Sequence, residues 1–247
     1  MRNRRAFFFR DGAMKTVVII PAGGTGRRMG GEIPKQYLSL AGIPILVHTL
    51  GGFQRSPLVD EILLVVPGED VAEVRRDMVE RYDFSRVSLV IAGGRERQDS
   101  VRNALVYVRD EHEIILVHDG VRPFVTGALI ERAVAGAKAF GAVTVGVPVR
   151  DTVKAVDAAG RVVKTVLREG LWLTQTPQAF RREVILAAYE RAAADGFYGT
   201  DDASLVERTG IPVRMIPGDV DNIKMTTPED LARGERMIRR FAGGTAD

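Results

Sequence analysis

Apolar residues fall in short continuous runs, and stretches of helical period separate them. The runs at 16–20, 61–66, 87–91, 114–117 and 142–149 are mostly Val, Ile and Leu, a composition that suits strands buried on both faces. Between and after them, apolar positions recur every three or four residues over 44–55, 69–81, 100–109, 127–140, 182–194, 202–209 and 228–241, which predicts helices. Continuous strands alternating with helices predict an α/β fold, a mostly parallel sheet with helices on both faces. Ligands of such sheets sit beyond the carboxyl ends of the strands. Three segments are placed there: the glycine-rich run after the first strand, Ala92-Gly-Gly94, and His118-Asp119.

One stretch breaks the alternation. Within 150–175, two β-prone runs (152–156 and 162–166) flank a turn at 157–160, the pattern of a β-hairpin. A hairpin alone is marginal in water, so this one is expected to protrude as an arm packed on another subunit. Folding back on its own domain is the alternative. No repeat or linker interrupts residues 14–247, which read as a single domain behind a disordered leader, residues 1–13.

The charge balance narrows the partners. Of 35 basic and 32 acidic side chains, four and one lie in residues 1–13, which leaves 31 of each in the domain. The basic excess belongs to the leader and gives no reason to expect nucleic-acid binding. The chain has no cysteine, so disulfides and thiolate catalysis are excluded, and a cytoplasmic enzyme is the simplest reading. No apolar run approaches the roughly 20 residues that span a bilayer, so no membrane is expected.

Candidate chemistry concentrates behind the first strand. Pro21-Ala-Gly-Gly-Thr-Gly-Arg-Arg-Met29, followed by Pro34-Lys-Gln36, combines a glycine turn with fixed cations. Glycine lets backbone N–H groups approach a ligand closely, and the cations suit a polyphosphate. A plain strand-to-helix turn with solvent-facing arginines is the alternative. Two familiar phosphate loops do not match. Gly26 and Gly31 have Walker A spacing, but Glu32 follows where Lys is required. Counting from Gly24 and Gly26, the dinucleotide fingerprint would need a small residue where Met29 stands.

The remaining inventory excludes several chemistries. None of the three histidines has zinc-protease spacing, and no G-x-S-x-G elbow occurs. His118, at a strand end, reads as structural more readily than catalytic. Arg28, Lys35, Asp119, Arg122 and Lys224 are expected to converge on the sheet edge. A cation-rich site with an isolated carboxylate suits phosphoryl or nucleotidyl transfer, where catalysis is positioning and charge neutralisation. Asp119 could hold Mg²⁺ together with phosphate oxygens, or cap a turn.

Later motifs sharpen this. Gly93-Gly-Arg-Glu-Arg-Gln-Asp-Ser100, Val117-His-Asp-Gly-Val-Arg-Pro123, Pro148-Val-Arg-Asp-Thr152 and Gly170-Leu-Trp172 follow the loop in order. Thr176-Pro-Gln178, Thr200-Asp-Asp-Ala-Ser204 and Asp221-Asn-Ile-Lys-Met-Thr226 complete the series. Together they resemble the 2-C-methyl-D-erythritol 4-phosphate cytidylyltransferase family of the non-mevalonate isoprenoid pathway. The resemblance implies a Rossmann-like nucleotidyltransferase sheet. It implies CMP transfer from CTP to 2-C-methyl-D-erythritol 4-phosphate with Mg²⁺, by a homodimer joined through the arm. Ribitol-5-phosphate cytidylyltransferases are the nearest alternative, and a non-catalytic CTP-binding module is a third.

Residue by residue, the resemblance implies that Arg28 and Lys35 stabilise the transition state. CTP would bind Ala22, Gly23, Gly24, Gly94 and Ser100. Asp119 would be the Mg²⁺-associated residue. Arg122, Thr176 and Thr200 would contact the acceptor, while Arg168 of the arm and Lys224 position it for catalysis. Arg95 stands where the family usually has Asp, which puts any contact by that carboxylate in doubt.

Overall fold

Val17, Val18, Ile19 and Ile20 are fully buried, which is why the chain enters the fold as an interior strand. The computed structural model describes residues 15–24 and 34–243; the leader reading of 1–13 and Arg28 fall outside them. In chain order the strands are β1 (Lys15–Pro21), β2 (Ser39–Leu40), β3 (Ile43–Pro44), β4 (Glu61–Val66), β5 (Val87–Ala92) and β6 (His112–Val117), then β7 (Ala142–Pro148), β8 (Val153–Val156), β9 (Val162–Val166), β10 (Trp172–Arg181) and β11 (Arg214–Pro217). The helices are α1 (Ile45–Gln54), α2 (Val71–Val74), α3 (Arg97–Leu105), α4 (Gly127–Phe140), α5 (Arg182–Ala194), α6 (Asp202–Arg208) and α7 (Pro228–Gly243).

Seven strands form the main sheet in the order β11-β7-β10-β6-β1-β4-β5. All neighbours are parallel except β10, which runs antiparallel to both β6 and β7. Alternate residues of β1 point to opposite faces, and the two cores divide accordingly. Val18 and Ile20 pack with Leu46, Phe53, Leu129 and Ile130 of α1 and α4. Val17 and Ile19 pack with Val101, Ala104, Ile185 and Leu205 of α3, α5 and α6. Helices therefore cover both faces, as the apolar pattern predicts.

Three departures are informative. The helix expected at 100–109 begins earlier, at Arg97, because Glu96 and Asp99 form a reciprocal capping box at its start. The helix expected over 69–81 is realised in pieces: a 3₁₀ turn at Gly68–Asp70, then α2, then a π-helical segment at Arg75–Glu80. Strand β10 had no apolar signature. Its polar centre, Gln175 to Gln178, includes Pro177, a residue that cannot donate to a ladder. The register with β7 shifts at that point, so the proline sits at an irregularity in the pairing.

The hairpin is present but shorter than the 150–175 expected. It comprises β8 and β9, paired antiparallel, and residues from Trp172 onward belong to the main sheet. Val156, Val162, Val163 and Leu167 are exposed on this chain.

Candidate active site

Three loops meet at the carboxyl edge of the parallel strands because backbone bonds carry the ladder past the strand ends. Ala22 N–H donates to Val65 O at 2.7 Å, Gly93 N–H to Val66 O at 2.7 Å, and Gly120 N–H to Pro21 O at 3.1 Å. These bonds set the loops after β1, β5 and β6 beside one another. Between them lies a cavity of about 330 Å³.

Two glycines are required by this packing. A Cβ on Gly94 would stand 2.3 Å from Asp99 Cβ, and one on Gly120 would stand 2.8 Å from Ala22 Cβ. Gly94 N–H donates to Ser100 Oγ at 3.1 Å, and that hydroxyl donates to Glu96 O at 3.1 Å. Thus α3 opens directly under the second glycine loop. Lys35 reaches across the first loop, since a Cβ on Gly24 would lie 3.3 Å from Lys35 Cε. The short 3₁₀ turn that carries Lys35 is tied down by Tyr37, whose hydroxyl donates to Asp70 Oδ2 at 2.7 Å.

Asp119 is the electrostatic centre. Its Oδ1 lies 3.2 Å from Arg97 Nε; its Oδ2 lies 2.9 Å from Lys224 Nζ and 3.5 Å from Arg122 Nε. Burial alone would raise its pKa, but the charges of Arg97, Lys224 and Arg122 outweigh that and hold the carboxyl well below the usual carboxylate range. Its backbone is fixed from behind: Asp119 N–H donates to Thr176 Oγ1 at 3.0 Å, and Thr176 faces His118 Nδ1 at 3.1 Å. His118 Nε2 lies 3.2 Å from Arg122 O, a pattern that places the proton on Nε2. Burial pushes the His118 pKa down to about 3, so the ring is a neutral bracket between Arg122 and Thr176.

The structure brings Ala22, Gly23, Gly24 and Lys35 to one cavity wall, with Gly94 and Ser100 and then Asp119 and Lys224 on the others. Arg122 and Thr176 sit behind Asp119 and do not line the cavity; Arg122 donates to Asn222 O at 2.8 Å. Thr200 and Arg168 are exposed and do not line it either. Arg168 instead donates to Arg150 O at the base of the hairpin. Arg97 lines the cavity, and sequence reasoning missed it. No local signal marked it: Arg97 lies inside the Gly93–Ser100 motif, but its partners Asp119 and Asp202 are brought to it only by the fold.

The family match decides what this edge belongs to. The IspD family model, 2-C-methyl-D-erythritol 4-phosphate cytidylyltransferase, matches residues 16–240. The chain belongs to this family. A 2-C-methyl-D-erythritol 4-phosphate cytidylyltransferase of Syntrophus aciditrophicus is 51% identical over 229 residues, covering 93% of this chain and 98% of that protein. One of Geobacter metallireducens is 51% identical, covering 92% and 98%.

Among solved structures, the 4-diphosphocytidyl-2C-methyl-D-erythritol synthase of Anaerococcus prevotii superposes with a TM-score of 0.80 at 32% identity, covering 92% of this chain and 96% of that one. The cytidylyltransferase of Thermus thermophilus gives 0.77 at 32% identity, covering 92% and 100%. In this cytidylyltransferase-family chain Arg95 is exposed on the cavity wall, an added cation near the loop that Gly94 supplies. Among the described residues no group of three or more His, Asp or Glu could hold a metal by itself. No helix among them is long and apolar enough to cross a membrane.

Proposed function

We propose that the chain transfers CMP from CTP to 2-C-methyl-D-erythritol 4-phosphate, giving 4-diphosphocytidyl-2-C-methyl-D-erythritol and pyrophosphate in isoprenoid precursor synthesis. The observation that carries this reading is one cavity joining the glycine loops, Lys35, Asp119 and Lys224 within a chain of this family. An oxygen of the acceptor phosphate attacks the α-phosphorus of CTP in line. The bond to the β-phosphate bridging oxygen breaks, and pyrophosphate leaves with that electron pair. No protein nucleophile is needed, so the protein acts by placing the phosphates and neutralising them.

Ala22, Gly23, Gly24, Gly94 and Ser100 border the CTP side of the cavity in this reading. Lys35, with Arg28 of the same glycine segment, takes the charge that gathers on the α-phosphate. Lys224 draws the acceptor phosphate, while Arg122 and Thr176 hold the Asp119 loop; Thr200 flanks the acceptor side. The donor set suits Mg²⁺ only jointly with substrate, because the ion accepts one carboxylate plus phosphate oxygens and waters and Asp119 is that carboxylate. When bound, the ion would offset triphosphate charge beside Asp119. Retained phosphate substrates also favour a cytoplasmic setting.

A homodimer is part of the proposal. The exposed valines of β8 and β9 need a covering surface, and Arg168 at the hairpin base would then serve a partner's cavity. If so, mixing inactive Arg168→Ala with inactive Lys35→Ala should restore activity in verified heterodimers, since one of the two sites holds both intact residues. No regained activity would assign Arg168 to its own subunit.

Pyrophosphate release from CTP, measured with 2-C-methyl-D-erythritol 4-phosphate and with ribitol 5-phosphate, tests the reaction itself. Turnover with the first and little with the second is expected. The reverse preference would overturn the assignment, and CTP binding without turnover on either would leave a binding module.

A further inference from the structure

Asp202 is fully buried and does not line the cavity, yet it reaches the cavity through Arg97. The two carboxylate oxygens have different partners. Tyr189 donates its hydroxyl to Oδ1 at 2.6 Å, and Arg97 Nη2 donates to Oδ2 at 2.8 Å. Arg97 then has its Nε on Asp119 Oδ1 at 3.2 Å. One guanidinium therefore bridges two carboxylates, one on the cavity wall and one in the core.

Asp202 is itself immobilised. It opens α6, whose N-cap Asp201 receives Ser204 N–H at 2.9 Å and the Gln178 side-chain amide at 2.7 Å. Gln178 also accepts from Ala203 N–H at 3.0 Å and donates to Thr144 Oγ1 at 2.9 Å. The anchor is thus pinned to the neighbouring strands β7 and β10 of the main sheet.

An arginine beside a carboxylate prefers the two-pronged fork, with both oxygens engaged. Such a fork on Asp119 would compete for Oδ2, the oxygen that faces Lys224 at 2.9 Å. We propose that Asp202 is a positioning residue for the transfer reaction: it holds the Arg97 guanidinium side-on, so that Arg97 engages one oxygen of Asp119 and leaves the other to Lys224 and the incoming ligands. This rests on the reading of the cavity as the cytidylyl-transfer site.

Asp202→Asn keeps the size and the oxygen that faces Tyr189 but loses the charge that competes for Arg97. It should lower kcat about tenfold and move the Mg²⁺ titration to higher concentration, the usual scale for a residue acting through a ligand-bearing group. The KM for CTP should stay within about twofold, because the glycine loops are untouched. Tyr189→Phe separates this from a structural role, since it removes a bond to Asp202 without removing its charge; kcat should hold even if the melting temperature falls. Arg97→Lys should lower kcat as well, because an ammonium is a point charge without the rigid planar fork that holds two carboxylates in fixed directions. That variant also keeps the inference testable should Asp202→Asn fail to fold.

A wild-type kcat in Asp202→Asn or Arg97→Lys would overturn the inference, as would a kcat loss in Tyr189→Phe equal to that of Asp202→Asn. Absence of turnover in the wild-type enzyme would instead refute the functional reading.

Discussion

Strand β6 carries an ion cluster at each end, and only the one at its far end lines the cavity described above. At its start, His112 is fully buried and places Nε2 2.9 Å from Glu61 Oε2. Arg109 Nη2 approaches the same oxygen at 2.5 Å, and Ser88 donates to the other. Beyond its far end, Asp119 is ringed by Arg97, Arg122 and Lys224. Both carboxyl groups are held below the ordinary range, Glu61 to about 2 and Asp119 well below it.

The difference is in what surrounds them. Glu61 draws its partners from β5 and from the turn into β6 and its start, two strands away, and neither it nor those partners line the cavity. Asp119 draws partners from three separate segments beside glycine loops and open space. A perturbed carboxylate is thus compatible with either a brace or a site. The accompanying glycines and cavity distinguish the two.

Removing the cation that Asp119's side of the molecule presents to phosphate should break the comparison most severely. Lys35→Ala is expected to lower kcat a hundredfold or more, on the order of 3 kcal/mol of transition-state stabilisation, with a smaller change in the KM for CTP. Steady-state kinetics decides it, and near-normal kcat would remove Lys35 from the transition state. Asp119→Asn should come next. It should weaken the response to Mg²⁺ about tenfold or more while the circular dichroism spectrum stays native. An unchanged Mg²⁺ titration would make Asp119 a brace like Glu61.

Gly94→Ala should cost less turnover but act through geometry, because its Cβ would meet Asp99 Cβ at 2.3 Å. The loop must move off α3, so the KM for CTP should rise about tenfold, the scale of a displaced binding group. An unaltered KM would show that this loop does not shape the nucleotide side.

Much of this was legible before the structure. Continuous aliphatic runs such as 62–66, alternating with helical segments, bury their side chains best inside a parallel sheet, so that part of the architecture was readable from pattern. Strand β10 was not, because its polar residues face other polar groups: Gln178 bonds Thr144 and Asp201, contacts that only tertiary structure creates. The same holds in the site. Gly94, Lys35, Asp119 and Lys224 could be named from motifs whose chemistry is local. Arg97 and Asp202 could not, since their meaning is a bridge across 105 positions of sequence. Arg122 and Thr176 were named for substrate, and the structure places them behind Asp119.

The smallest effect on turnover should come from the opposite end of β6. Glu61→Gln removes a buried charge far from the glycine loops, so kcat should be unchanged within experimental scatter. Stability should fall instead, by on the order of 2 kcal/mol near pH 7, because the Arg109 and His112 groups lose their anion. The pH dependence gives the sharper check. Burial acts to raise the Glu61 pKa, but hydrogen bonds from His112 and Ser88 and the Arg109 charge bring it from 4.5 down to about 2. A folded-state pKa below the unfolded value means the unfolded chain takes up the proton first on acidification. The contribution of Glu61 is therefore complete above pH 4.5 and is lost as pH falls from there through about 2. Urea unfolding of both proteins between about pH 7 and about pH 3 should show the gap between them shrinking at the acid end. A gap constant over that range would mean that the ion cluster at Glu61 contributes packing alone, and that its charge does not stabilise the fold.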